Sequence, residues 1–484
     1  MPTECIPTLF EFARVQGRAV VASFDGGRIA SDAGALLLGA ADQVIGLTRR
    51  LAACFADARQ PAFVEHSVET LVMQRVVGIA LGYEDLADHD RLRHDPVMAT
   101  LVGKLAARRR DCAPLAGKST LNRMELSRPE PSRHARLAAD PEASEALFVD
   151  LFLDAHRVAP KQITLDLDAT DDPLHGHQEG RFFHGHYDCH CSLPLDLFCG
   201  RHRLAAKLRR SDIDASAGAV EEVARVVARI RARWPRVRIL LRGDSGFARE
   251  ALMAWCERHR VDYLFGLARK ARLAAEIEAA MAAARAEAEA RHLYETVYCA
   301  RGEMENRIKE CQLALFADRT SAATMRANQL RLWFASAAYA LMCALRRIGL
   351  AHTQFAAATC GTIRLRLLKV GPSACLPSGY AGRNLRQASP WCGSACDGSR
   401  WPWPPPAPGN TSGPSPMRGC GDPRSDRTNQ TPRDAIPPRN AVPPAATAMR
   451  AANFRPTHLS RPHALQGRTT GHSNLGPAFN ATIR

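Results

Sequence analysis

Through the first 150 positions apolar residues recur at three- and four-residue intervals, the spacing of helices with one buried face. The stretch Ser31–Phe55 begins with Ser31 and Asp32 as candidate caps, His66–Tyr83 repeats the pattern and ends beside Gly82, and a further helix is predicted after Gly117. Before these, Arg18–Ile29 alternates weakly, and Asp25-Gly26 predicts a tight turn between two short strands.

Near residue 160 the period shortens to two. Gln162–Ala169 places Ile163, Leu165 and Leu167 on one face and Thr164, Asp166 and Asp168 on the other, a half-buried strand. Residues 180–200 can supply two more strands. The pattern then predicts an amphipathic helix over 216–234, a buried strand ending at Asp244, a helix over 247–259 and a strand from Val261. Strands alternating with helices predict an α/β domain. From 271 to about 350 the chain reads as helix, including the Ala/Glu-rich stretch 274–291, whose charges suit a solvated face. Leu332–Leu345, 14 residues between Arg331 and Arg346, is too short to span a bilayer and predicts a core helix.

Composition changes the picture only at the end. Of 31 prolines, 19 fall in 371–484, a segment with 13 Arg, 4 Asp, no Lys and no Glu. That segment lacks periodicity and the apolar content to offset its ordering entropy, so a disordered tail is predicted. An out-of-frame reading of a GC-rich gene would produce such a composition, and Arg outnumbers Lys 58 to 7 along the whole chain. The net charge of +16 on 484 residues makes polyanions the first partners to consider. The 15 scattered cysteines do not form a disulfide framework, and no segment reads as a signal peptide or a membrane span, so a cytoplasmic protein is expected.

Two strand ends and one later helix carry the candidate chemistry. Asp166 and Asp168 project from the same strand face, an arrangement that can hold a hard cation. Asp244 again ends a hydrophobic strand, and carboxylates at such ends can converge in the crevice beyond a sheet. Tyr298, Arg301, Glu305 and Lys309 fall on one face if the segment is helical, offering a phenol, a guanidinium, a carboxylate and an ammonium to a metal-bound phosphodiester.

With Asp-Ala-Thr at 168–170, a second strand-end Asp244 and Tyr-x2-Arg-x3-Glu from Tyr298, the chain resembles bacterial insertion-sequence transposases of the DDE class. The branch is transposase DDE domain group 1, with a Tyr-Arg-Glu-Lys signature, and the resemblance covers about residues 10–370. It implies an RNase H-like mixed sheet flanked by helices (156–350), a mainly helical DNA-binding region before it (1–155) and a family-like end at 351–370. It further implies Asp168, Asp244 and Glu305 as catalytic, metal-binding acids for two Mg²⁺ ions, with Mn²⁺ an alternative, and Asp166 as a reserve ligand or an orienting residue. Tyr298, Arg301 and Lys309 become DNA contacts, and the implied partners are the inverted-repeat ends, target DNA and a second copy of the chain.

The sequence departs from the family pattern in three places. The signature lysine, seven residues after Glu305, is Gln312, Asp244 and Glu305 lie only 61 residues apart, where relatives carry a β-rich insertion, and the proline- and arginine-rich tail replaces the family's own C-terminus. These departures predict a degenerate copy. Two other readings compete. Asp166-x-Asp168-x-Thr170 resembles the nucleophile motif of haloacid-dehalogenase-type phosphatases, with Asp166 as nucleophile and Asp168 as acid. A non-catalytic DNA-binding remnant is the third. Among weaker signals, the histidines and cysteines at 184–191 fit no common zinc spacing and predict a structural strand. Gly117-Lys118-Ser119 lacks the rest of a phosphate loop, and the arginine runs at 107–110 and 201–210 are candidate phosphate contacts.

Overall fold

A computed structural model describes residues 10–15, 18–23, 31–127, 136–266, 293–370 and 480–483. The Ala/Glu-rich stretch 274–291 and nearly all of the tail lie outside the described residues.

Five strands make the central sheet: β1 (Gln162–Ala169), β2 (Leu195–Cys199), β3 (His202–Lys207), β4 (Arg238–Gly243) and β5 (Asp262–Phe265). Their spatial order is β3-β2-β1-β4-β5, with β2 antiparallel to both neighbours and β4 parallel to β1 and β5. This mixed sheet with helices on both faces is RNase H-like, as the resemblance implies. The predicted alternation along β1 is what sorts its faces. Ile163, Leu165 and Leu167 join a core with Leu195, Leu197 and Leu241 beneath three helices, α3 (Pro141–Asp154), α4 (Ala219–Arg233) and α5 (Glu250–Arg258). On the opposite face Phe198, Ala206 and Leu208 join a second core with α6 (Gly302–Leu315) and α7 (Met325–Ile348). Asp166 and Asp168 therefore point toward the α6–α7 side.

The second core continues into the N-terminal helices α1 (Ala35–Ile45) and α2 (Val68–Leu81), which pack on α7. Trp333, Phe334 and Tyr339 are almost fully buried there, so the apolar stripe of α7 is packing surface. Ser67 caps α2 by accepting the Thr70 amide, and Gly82 ends it at φ +94°. The helix predicted from Ser31 is in fact two, broken at Gly46 where φ is +63°. Asp32 is not its cap. It is buried, accepts from the Tyr83 hydroxyl at 2.6 Å and pairs with Lys369 Nζ at 2.8 Å, because the chain returns here at its far end. The first hairpin also differs from expectation: Phe10–Val15 pairs with Arg18–Ser23, which puts the turn between Val15 and Arg18 instead of at Asp25-Gly26. Asn480–Ile483 adds a third strand to it, the one described part of the segment predicted to lack order.

The returning segment fits tightly. The amides of Ala33 and Gly34 donate to the carbonyls of Val370 and Leu368, and a β-carbon on Gly34 would overlap the backbone of Leu367 and Leu368. Gly34→Ala is expected to lower stability by about 1–3 kcal/mol, the usual cost of overpacking, measured by urea denaturation.

Candidate active site

Parallel pairing of β1 and β4 sets their carboxyl ends side by side. Asp168 is the penultimate residue of β1, and Asp244 follows β4 directly, where its Oδ1 accepts the Gly246 amide at 2.8 Å and caps a short turn, Ser245–Phe247. The approach to α6 is not the uniform helix expected from the spacing. Leu293–Tyr298 is one wide turn, Cys299–Arg301 a tight one, and the α-helix begins only at Gly302. Tyr298 closes the wide turn and still acts on Arg301. Its hydroxyl stands 2.6 Å from where a β-carbon of Gly266 would be, beside the Asp244–Ser245 backbone, so any larger residue at 266 would displace the phenol.

Arg301 joins the strand end to the helix. Its Nη2 donates to Asp168 Oδ1 at 2.6 Å and its Nη1 to Glu305 Oε1 at 3.2 Å. Asp168 is only 9% exposed, and burial pushes its pKa up to about 7; Arg301 opposes that rise, while Asp244, Asp196 and Glu305 add to it. For Arg301, burial works to lower the pKa, but Asp168, Asp244, Glu305 and Tyr298 outweigh it and raise it. Asp244 and Glu305 thus both act on Asp168. Among the described residues no three His, Cys, Asp or Glu side chains are close enough to form a ready metal cage. What lies between Asp168 and Glu305 is the Arg301 guanidinium.

Other predicted residues sit apart from this cluster. Asp166 is buried with both oxygens on Arg242, at 2.6 and 2.8 Å, and Arg242 also donates to the Val297 carbonyl. That arginine ties β1, β4 and the turn before Tyr298 together. Lys309 is exposed one turn beyond Glu305. Gln312, at the position of the signature lysine, donates to Asp172 Oδ1 at 3.2 Å and the Asp171 carbonyl at 3.3 Å, so it holds the chain just past β1.

Three residues near the acids were missed. Asp196 lies directly opposite Asp168 across β1 and β2, fully buried and paired at 2.6 Å with Arg203, which also donates to Ser336 Oγ. An aspartate within the apolar run of Leu195–Cys199 was the available signal. Asp172 is buried with Oδ2 unpartnered among the described residues, and burial holds its pKa well above the usual range. Tyr187 donates to the Ala169 carbonyl at 3.3 Å, and its pKa is raised by burial first and then by Asp171, Asp168 and Asp244.

The arginine run at 201–210 requires correction as a phosphate-contacting set. Arg203 is buried as above, and Arg209 is buried with its guanidinium on the carbonyls of Leu193, Ala215 and Ala217. Strand alternation turns part of any such run inward. In the run at 107–110, Arg109 donates to the Phe63 carbonyl. At the glycine-lysine-serine motif the helix beginning at Lys118 receives the protein's own carboxylate: Asp90 Oδ1 accepts the Lys118 amide at 3.0 Å, the place an anion would take. The histidine- and cysteine-rich segment is a hairpin, Phe182–His184 against Cys189–Ser192.

Residues 12–292 and 284–376 match the family model described as Transposase DDE domain group 1. The chain belongs to this family. No curated protein matches it. Membership brings transposase function, DNA as partner and a general use of divalent metal at the level of the family. The two matched stretches overlap at 284–292, at the end of the Ala/Glu-rich segment, and the match ends at residue 376. No helix among the described residues is long and apolar enough to cross a membrane.

Proposed function

We propose that this chain cleaves and rejoins DNA at the ends of a bacterial insertion sequence, with Asp168, Asp244 and Glu305 as the catalytic acids. The observation that carries the reading is the meeting of Asp168 and Glu305, far apart in sequence, on the Arg301 guanidinium within the field of Asp244. The donor set fits the implied metal. It is all carboxylate oxygen, suited to a hard cation, and two of its members already gather around a positive charge. These carboxylates would hold two Mg²⁺ ions, or Mn²⁺, whose chemistry when bound is water activation and charge neutralisation in an in-line displacement at phosphorus. Asp168, Asp244 and Glu305 would be the residues that hold the ions. Arg301 then turns its fork to phosphate oxygens, Tyr298 contacts the same strand, and the exposed Lys309 reaches a flanking phosphate. A second copy of the chain would bind the other inverted repeat.

The phosphatase reading is disfavoured by Asp166, whose two oxygens are both engaged by a buried arginine and cannot attack phosphorus. The DNA-binding remnant keeps one observation in its favour, the neutral Gln312 where the signature has a cation. Nicking of labelled insertion-sequence ends with Mg²⁺ or Mn²⁺ separates it from the catalytic reading.

Metal binding carries its own pH signature. Asp168 holds its proton up to about pH 7, so a cation must displace that proton below this point. The apparent Mn²⁺ affinity is expected to fall about tenfold per pH unit below 7 and to level off above it. Titration calorimetry at pH 6 in buffers of different ionisation enthalpy should register about one proton released, and Asp168→Asn should abolish that release.

A further inference from the structure

Asp166 and Arg242 stand in register across the parallel pair β1 and β4, each two residues before a proposed catalytic acid, Asp168 and Asp244. Both are buried, Arg242 at 7% exposure and Asp166 at 2%. Nε donates to Oδ1 at 2.6 Å and Nη2 to Oδ2 at 2.8 Å, a bidentate pair that already balances its own charge. The third hydrogen bond leaves the sheet: Nη1 donates to the Val297 carbonyl, in the wide turn Leu293–Tyr298. Tyr298 closes that turn with its hydroxyl beside the Asp244–Ser245 backbone, and Arg301, three residues on, reaches Asp168. One planar guanidinium therefore grips the carboxylate behind the first strand end and the backbone that carries a phenol and a guanidinium to both strand ends. A buried pair that served the sheet alone would have no use for the turn, and apolar residues of similar volume often replace such pairs without loss of stability.

We propose that Arg242 is a positioning residue for strand cleavage: anchored by Asp166, it holds the turn at Val297 so that Tyr298 and Arg301 are aligned on the phosphate at the acids. The proposal rests on the transposase reading and extends it to two side chains that touch neither DNA nor metal. The geometry also says which property of arginine matters. Lysine would keep a charge beside Asp166, but its single nitrogen on a flexible stem cannot hold two carboxylate oxygens and a carbonyl in one plane.

The test uses the full chain, Arg242→Lys, and Arg242→Met combined with Asp166→Leu. The double change removes both buried charges together, so its urea midpoint should match or exceed that of the unmodified chain. Both variants should bind labelled insertion-sequence ends within about threefold of the unmodified affinity, which many other phosphate contacts supply. At saturating DNA they should nick about 10²-fold more slowly with Mn²⁺, the scale expected when a reacting group is displaced by about 1 Å. A second readout needs no turnover. In chains labelled with 3-fluorotyrosine, the ¹⁹F resonance of Tyr298, assigned by its loss in Tyr298→Phe, should shift or broaden in both variants while the other resonances stay. Unchanged nicking by either variant overturns the proposal, and so does an unmoved Tyr298 resonance; a pair that only packs the sheet would give both results once the apolar double change had preserved stability. Should the double variant not accumulate, Arg242→Lys decides alone. An unmodified chain that binds the ends without nicking them defeats the transposase reading and this inference with it. Nicking by the unmodified chain and both variants alike leaves that reading standing and defeats the inference only.

Discussion

Asp168→Asn and Glu305→Gln, made separately, are expected to abolish metal-dependent nicking of insertion-sequence ends and to leave DNA binding in place. Each substitution keeps side-chain volume and a hydrogen-bond acceptor for Arg301, so the loss falls on charge. Removing one group that stabilises charge in a transition state typically costs about 10²–10³-fold in rate, and an acid needed to hold a cation should cost at least that. Steady nicking by Glu305→Gln would remove the helix from the catalytic centre and with it the proposed role of the triad. Binding without nicking by the unmodified chain, under Mg²⁺ and Mn²⁺ alike, would leave the DNA-binding remnant.

Arg203→Met should be the most damaging substitution away from that centre. Arg203 is the buried cation for Asp196, and its charge also acts on Asp172, two aspartates each with an oxygen lacking a partner. Breaking a buried pair by removing one member costs roughly 3–5 kcal/mol, because the remaining charge stays desolvated. Natural domains are stable by about 5–15 kcal/mol, so this variant should unfold at much lower urea, or fail to accumulate. Burial already holds the Asp196 pKa above its ordinary value. A carboxyl with a raised folded-state pKa costs stability as pH rises, so the variant should lose less below pH 5 than at pH 7. The double change Arg203→Met with Asp196→Leu should recover most of the loss, which a denaturant titration of the three proteins would show.

Much of this was legible in the sequence because it depended on local periodicity. The two-residue alternation of Gln162–Ala169 settled which face of β1 held acids, and apolar runs located Asp244 at a strand end. The Tyr298, Arg301 and Glu305 spacing assumed one continuous helix, whereas the α-helix begins only at Gly302. What could not be read were long-range meetings. Asp32 looks like a cap until Lys369 returns to it, and Asp166 looks like a ligand until Arg242 arrives from the neighbouring strand. Arg203 and Arg209 look like DNA contacts because sequence does not reveal which members of a basic run turn inward. Tyr187 sits in a segment whose histidines and cysteines draw the eye toward zinc, and its role at the acids depends on a hairpin fold-back.

The double grip of Arg301 has a consequence for fidelity. A single side chain bonds both Asp168 and Glu305, so on the proposed reading it competes with any cation for those carboxyl groups. On the proposed reading, an incoming phosphate draws that guanidinium away and uncovers the carboxylates for a cation. Thermodynamic reciprocity then requires the cation to strengthen phosphate binding by the same factor. Such a safety catch would keep a nucleolytic centre idle until nucleic acid and metal arrive together.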